Sequence, residues 1–193
     1  MADDLHTFLF ADISGYSQLT EHYGDEAAAD LAIRFAQEMA EMAAAHGAEL
    51  VKCVGDGVMV HSRCAAAAID LALDVQRRLA ASPVLPPVHV GIHTGPAVER
   101  AGDWWGATVN VASRVADAAE AGQLLITEAT RVAAGRSPAQ LRGLGSRRFR
   151  NISSPVSLYT ACPDAGAEAL GYRRSPKPFA RMSLDPQPVA AQA

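Results

Sequence analysis

A chain of 193 residues with 17 Lys plus Arg against 21 Asp plus Glu has a net charge of −4, which leaves no basic surplus for gripping nucleic acid. Its apolar fraction suits one sizeable core, and its three cysteines (Cys53, Cys64 and Cys162) lack disulfide or metal-ligand spacing. The start of the chain shows no leader pattern and no run is long and uncharged enough to span a bilayer, so the expected setting is a reducing cytoplasm without membrane contact.

His6 to Asp12 is rich in Phe, Leu and Ile and reads as a largely buried strand. It ends in a carboxylate before the Gly15 turn, and a short helix is expected from Ser17. Asp25 then caps a longer helix, in which Leu31, Phe35, Met39 and Met42 recur at three and four and read as core. Gly47 stops that helix just after His46. Leu50 to Val54 and Val58 to Val60 flank Gly55-Asp56-Gly57, a hairpin signal in which glycine supplies positive φ. The hairpin alone makes Asp56 a turn residue. Lys52 asks for more: a cation in a buried-looking strand must snorkel, find a partner or meet a ligand.

Arg63 to Ala81 is an alanine-rich helix with Ile69, Leu73 and Leu79 facing inward, followed by the proline-rich connection Ser82 to Pro87. Val88 to His93 is the next strand, and Ala97 to Arg100 extends it as a hairpin. His93, at a strand end with no visible partner, reads as structural. Gly106 to Glu120 is helical, Gln123 to Ile126 a short strand, and Thr127 caps a helix from Glu128 to Ala134. Two last strands are expected at Arg147 to Ile152 and Val156 to Thr160. From Pro163 the texture turns to Pro, Gly and Ala without period, dividing the chain into a domain at 1–162 and a flexible tail at 163–193. The element order fits an α+β sandwich, ferredoxin-like or palm-like, with a mostly antiparallel sheet and helices packed on one face.

Two constellations carry chemistry. If the strands bearing Asp12 and Asp56 are neighbours, their carboxylates share one edge of the sheet. At about 4 Å such a pair repels by roughly 4 kcal/mol at an effective dielectric near 20, and so wants a cation. Hard oxygens, with a backbone carbonyl such as that of Ile13, suit Mg²⁺ or Mn²⁺ bound together with a phosphate. The second constellation is Asp103 to Arg114, where Asn110 and Arg114 lie four apart on one helical face. Spacing alone fits a solvated face, whereas the apolar Val109, Val111, Ala112 and Val115 around them favour a cleft. A guanidinium there suits a charged phosphorane, and an amide suits a ribose oxygen.

Phe10-Ala11-Asp12-Ile13-Ser14-Gly15-Tyr16, Lys52 to Asp56, Val90 to Gly95 and Asp103 to Arg114 occur in an order and spacing that resembles the catalytic domain of class III nucleotidyl cyclases, from about His6 to Thr160. The resemblance implies two Mg²⁺ or Mn²⁺ ions held by Asp12 and Asp56, base reading by Lys52 and Asp103, and transition-state stabilisation by Asn110 and Arg114. It also implies a homodimer with active sites at the subunit interface. Lysine suits the N1 acceptor of adenine and aspartate its N6 amine, while guanine inverts both edges, so ATP is the expected substrate. The implied reaction is attack of the ribose 3′-oxygen on the α-phosphorus, giving 3′,5′-cyclic AMP and pyrophosphate; Asp12 or solvent takes the proton. Two departures stand out. Pro96 replaces an arginine common in relatives, and Arg150-Asn151 stands where many have Lys-Gly. Arg150 is expected as a triphosphate contact, or else the Arg147 to Arg150 cluster is a solvated strand face. A catalytically silent nucleotide-binding homologue and a guanylate cyclase are the competing readings.

Overall fold

The computed structural model describes residues 5–82, 84–135 and 140–162. The segment expected as a tail, 163–193, lies outside them. At the centre is β1 (Leu5–Ile13), followed by α1 (Tyr16–Tyr23) and α2 (Asp25–Ala45). The hairpin β2 (Glu49–Val54) and β3 (Gly57–Ser62) leads into α3 (Ala65–Ala81). Next come β4 (Val88–Pro96), the short strands β5 (Val98–Arg100) and β6 (Asp103–Trp105), and α4 (Ala107–Asp117). β7 (Leu124–Thr127), α5 (Glu128–Ala134), β8 (Gln140–Arg147) and β9 (Val156–Cys162) complete the order. Seven strands form one sheet in the order β2-β3-β1-β4-β7-β9-β8. Its pairs are antiparallel except β4 and β7, whose parallel pairing requires a crossover, and α4 lies within that connection.

The mostly antiparallel α+β sandwich is as expected, but helices cover both faces of the sheet rather than one. Alternation along β1 sends Leu9, Ala11 and Ile13 to one side, where they join Leu31, Phe35 and Met39 of α2 and Ile69 and Val75 of α3. Burying each of the larger side chains contributes about 1.5–3 kcal/mol. Phe8, Phe10 and Asp12 point the other way, where Phe8, Met59, Trp104 and Ala112 form a second cluster beneath α4 and the β5–β6 hairpin. Gly91 lets α4 lie directly on β4: a Cβ there would meet the backbone nitrogen of Ala116 at 2.1 Å. This close approach was invisible in the helix pattern.

Most elements agree with the sequence, but not every reading does: Val98–Arg100 pairs with Asp103–Trp105 rather than with β4. Asp25 is the first residue of α2, not its cap; Gly24, at φ 85, holds that place without a side-chain bond. Asp25 and Glu26 still suit the positive end of the helix dipole. The strand expected at Arg147 to Ile152 ends where it was expected to begin, because β8 occupies Gln140–Arg147. Its exposed side chains and its Gly143 and Gly145 conceal it, and the ladder to β9 holds it extended. His93 does have a partner, with Nδ1 2.7 Å from Thr127 Oγ1. Burial pushes its pKa down to about 4, so it stays a neutral structural group. Thr127 caps α5 as expected, accepting the Thr130 N–H. Among the described residues no helix is long and apolar enough to cross a membrane.

Candidate active site

The register of β1 against β3 sets Asp12 opposite Gly57, which brings Asp56 at the hairpin tip beside it. On its other side Asp12 faces His89 of β4, whose Nε2 is 3.3 Å from Asp12 Oδ2. Nδ1 of that imidazole is 3.3 Å from Ser14 Oγ. Burial raises the pKa of Asp56 and the negative charge of Asp12 raises it further, against its own backbone hydrogen bond and His89. A carboxylate whose ionisation is opposed by burial and by a neighbouring negative charge favours a cation beside it. Gly57 belongs to this arrangement for a reason other than turn geometry. A Cβ on it would lie 2.6 Å from Asp12 Oδ1, so its bareness makes the space the carboxylate occupies. Gly55, at φ 64, is the residue that supplies the turn. No group of three His, Cys, Asp or Glu converges among the described residues, so a cation here needs further oxygens from its ligand.

Lys52 lies on the edge strand β2, paired with Met59 and therefore on the face carrying Asp12. It is not buried as the apolar run suggested, because an edge strand leaves its side chain 41% exposed. Its Nζ donates to Asp103 Oδ2 at 2.5 Å. Asp103 Oδ1 accepts the Trp104 N–H at 2.8 Å, and the lysine, then that N–H, hold the Asp103 carboxyl below its usual pKa. Trp105 flanks the pair, its ring centre 5.8 Å from Lys52 Nζ. Both Trp105 and its strand partner Val98 are exposed apolar side chains.

Asn110 and Arg114 are exposed on α4, whose Val111, Ala112 and Val115 face the protein. Arg114 Nη1 donates to Asp117 Oδ2 at 2.9 Å. Arg150 sits in the exposed turn between β8 and β9. Following the registers across the sheet, that turn is at the end opposite Asp12 and at the edge opposite β2. The structure thus brings together Asp12 with Asp56, and Lys52 with Asp103, but no bond joins either pair to Asn110, Arg114 or Arg150 among the described residues. The partners His89 and Asp117 and the contact at Gly57 escaped the sequence reading, since each depends on a strand register or a helix rotamer. A groove of about 510 Å³ between α2 and α3 lies apart from these residues. Within it His46 is 2.7 Å from Asp74 and Arg77 is paired to the same carboxylate, while Arg78 is paired to Glu38 beside it.

Residues 2–145 match the family model described as the adenylate and guanylate cyclase catalytic domain. A pH-sensitive adenylate cyclase of Mycobacterium tuberculosis is 36% identical over 157 residues, covering 79% of this chain and 39% of that protein. An adenylate cyclase of Streptomyces coelicolor is 35% identical over 120 residues, covering 62% of this chain and 32% of that protein. The chain therefore spans well under half the length of these two relatives. The crystal structure of the adenylyl cyclase CyaB from P. aeruginosa superposes with a TM-score of 0.71 at 27% identity, covering 82% of this chain and 94% of that one. With a family match running from the first strand into β8, and a shared fold across the sheet, the chain belongs to the adenylate and guanylate cyclase catalytic domain family.

Proposed function

We propose that this domain is an adenylate cyclase, forming 3′,5′-cyclic AMP and pyrophosphate from ATP at sites shared between two copies. The observation that carries this reading is the ready-made pair of Lys52 and Asp103, donor and acceptor 2.5 Å apart beside the exposed Trp105. Opened by a base, the ammonium donates to adenine N1 and the carboxylate accepts from the N6 amine; guanine mismatches both. Asp12, Asp56 and the Ile13 carbonyl would hold the divalent metals, two Mg²⁺ or Mn²⁺ per site. The donor set fits such ions, being hard and too few to bind one without substrate phosphates. Bound there, the metals supply charge neutralisation of the triphosphate and acidify the 3′-hydroxyl.

The remaining steps belong to side chains. Asn110 orients a ribose oxygen, and Arg114 turns from Asp117 to the charge growing at the α-phosphorus. Arg150 meets the triphosphate. Asp12 or solvent accepts the 3′ proton. By the family resemblance a second copy related by a two-fold axis supplies Lys52, Asp103, Asn110 and Arg114 to the carboxylates of the first, and the exposed Trp105 and Val98 suit that contact. Purified protein given ATP or GTP with Mn²⁺ or Mg²⁺ tests the proposal: cyclic AMP from ATP alone supports it. Nucleotide binding without turnover, or cyclic GMP as the main product, overturns it.

Two variants probe the parts. Exchanging Lys52→Glu together with Asp103→Cys is expected to depress ATP turnover and admit GTP; wild-type cyclisation of ATP by the double variant rules these residues out as base readers. Gly57→Ala pushes a methyl group against Asp12 Oδ1 and is expected to weaken metal activation about 10–100-fold, the usual cost of disturbing a ligand's support. A Mn²⁺ titration of activity reads this, with the melting temperature checking that the fold survives. An unchanged titration would dissociate Asp12 from the metal.

A further inference from the structure

β5 and β6 form a two-stranded ribbon with no ladder to the main sheet. Ribbons of that size are marginal alone, so the place of this one depends on what its side chains grip. Trp104 is 6% exposed, with its ring centre 4.2 Å from that of His61 at a near-stacked 28°. His6 lies 4.3 Å away on the same indole, and Phe8 meets it edge-on at 5.5 Å. Behind the indole, His6 Nδ1 and His61 Nε2 are 3.0 Å apart, and His61 Nδ1 is 3.0 Å from Glu49 Oε1. Both histidines are 6% exposed.

Two imidazoles in an apolar cluster are costly unless their hydrogen bonds run in one direction. The Glu49 carboxylate only accepts, so His61 Nδ1 carries a hydrogen. One more hydrogen lies between the rings, on His6 Nδ1 or on His61 Nε2; two there would collide. The pair therefore fits while it carries at most one extra proton. Burial lowers the pKa of His61, against the pull of Glu49. The charged groups acting on it are Glu49 on β2 and Arg63 just after β3, while β4 places Gly95 opposite His6. From the hairpin comes the indole, since Asp103 is turned to Lys52.

We infer that the chain Glu49–His61–His6 is a positioning device for Asp103: by holding Trp104 on the sheet it fixes the neighbouring carboxylate against Lys52 and so sets the choice of base. This rests on Asp103 being a base reader. The protein has two tryptophans, so the full chain carrying Trp105→Phe reports Trp104 alone and serves for the fluorescence only, while kinetics are read with Trp105 in place. His61→Phe keeps a ring but loses both hydrogen bonds. Expected are a red shift of Trp104 emission, an ATP KM raised on the order of tenfold with kcat within about threefold, and an ATP-over-GTP preference reduced about tenfold. His61→Gln, which can donate to Glu49 and accept from His6, is expected to restore most of both signals. The parent's base preference is expected to hold through the ordinary histidine range and to fall only at lower pH, since burial holds the His61 pKa down, and the His61→Phe profile to lack that fall. Unmoved emission in His61→Phe, or moved emission with parental base preference, overturns the inference. Asp103→Asn run in parallel separates the two failures. If it loses base preference while His61→Phe keeps it, the seat alone is rejected; if both keep it, the base-reader assignment falls and the seat's purpose with it.

Discussion

Arg114→Ala is expected to lower turnover about 10²–10³-fold, roughly 2.7–4 kcal/mol, by analogy with the loss of one oxyanion donor. The structure shows why so large an effect can sit on an exposed residue. In the resting domain Arg114 is tied to Asp117 in an ion pair whose side chains are 48% and 58% exposed. Pairs of that kind contribute about 0–1 kcal/mol, so the guanidinium is cheaply released to a stronger anion. The charge it would meet develops only as the 3′-oxygen attacks, and an interaction confined to the transition state lowers kcat without matching loss of binding. An unreactive ATP analogue should therefore bind Arg114→Ala within about threefold of the parent. Equal losses in binding and rate would make Arg114 a ground-state contact. Asp117→Ala is the control, removing the resting partner while leaving the guanidinium, and turnover is expected to stay within about threefold.

Mixing two dead variants is expected to restore activity. Asp12→Ala alone removes a metal carboxylate from every site, and Arg114→Ala alone removes the cation from every site. If each site takes its carboxylates from one copy and Arg114 from the other, a mixed dimer concentrates both lesions in one site and leaves its twin intact. Random exchange at equal amounts makes half the dimers mixed, so recovery approaches about a quarter of parental activity. Mass measurement must show that mixed dimers form. A mixture that contains them and stays inactive sinks the shared-site proposal, and Arg114 would then have to act on the Asp12 of its own chain.

What could be read before the structure was whatever a local pattern encodes. The spacing of Leu31, Phe35 and Met39 gave the buried stripe of α2, and Gly55 between two apolar runs gave the turn that carries Asp56. The site residues were legible as types because carboxylates, a lysine and an arginine stand out against apolar neighbours. Their partners were not. That Lys52 is held by Asp103 depends on a hairpin folding back over the sheet, and that Asp12 faces His89 depends on β4 pairing with β1. β8 was missed because its exposed, glycine-broken sequence has no alternation, and its extended form is imposed by β9. The second helical face was missed for a related reason: a glycine in a strand marks a close approach without naming what approaches.

The central place of β1 has a consequence for how the protein is made. It precedes both of its neighbours, β3 and β4, along the chain, so Asp12 waits for Gly57 on one side and for His89 on the other. Until β3 is made, Phe8, Leu9 and Phe10 have no ladder to join, and until β4 follows, one edge of β1 stays unpaired. Such long-range closure slows folding and lengthens exposure to aggregation. A nascent chain halted before β4 thus carries β1 with an open, sticky edge, and holdase chaperones should find it there.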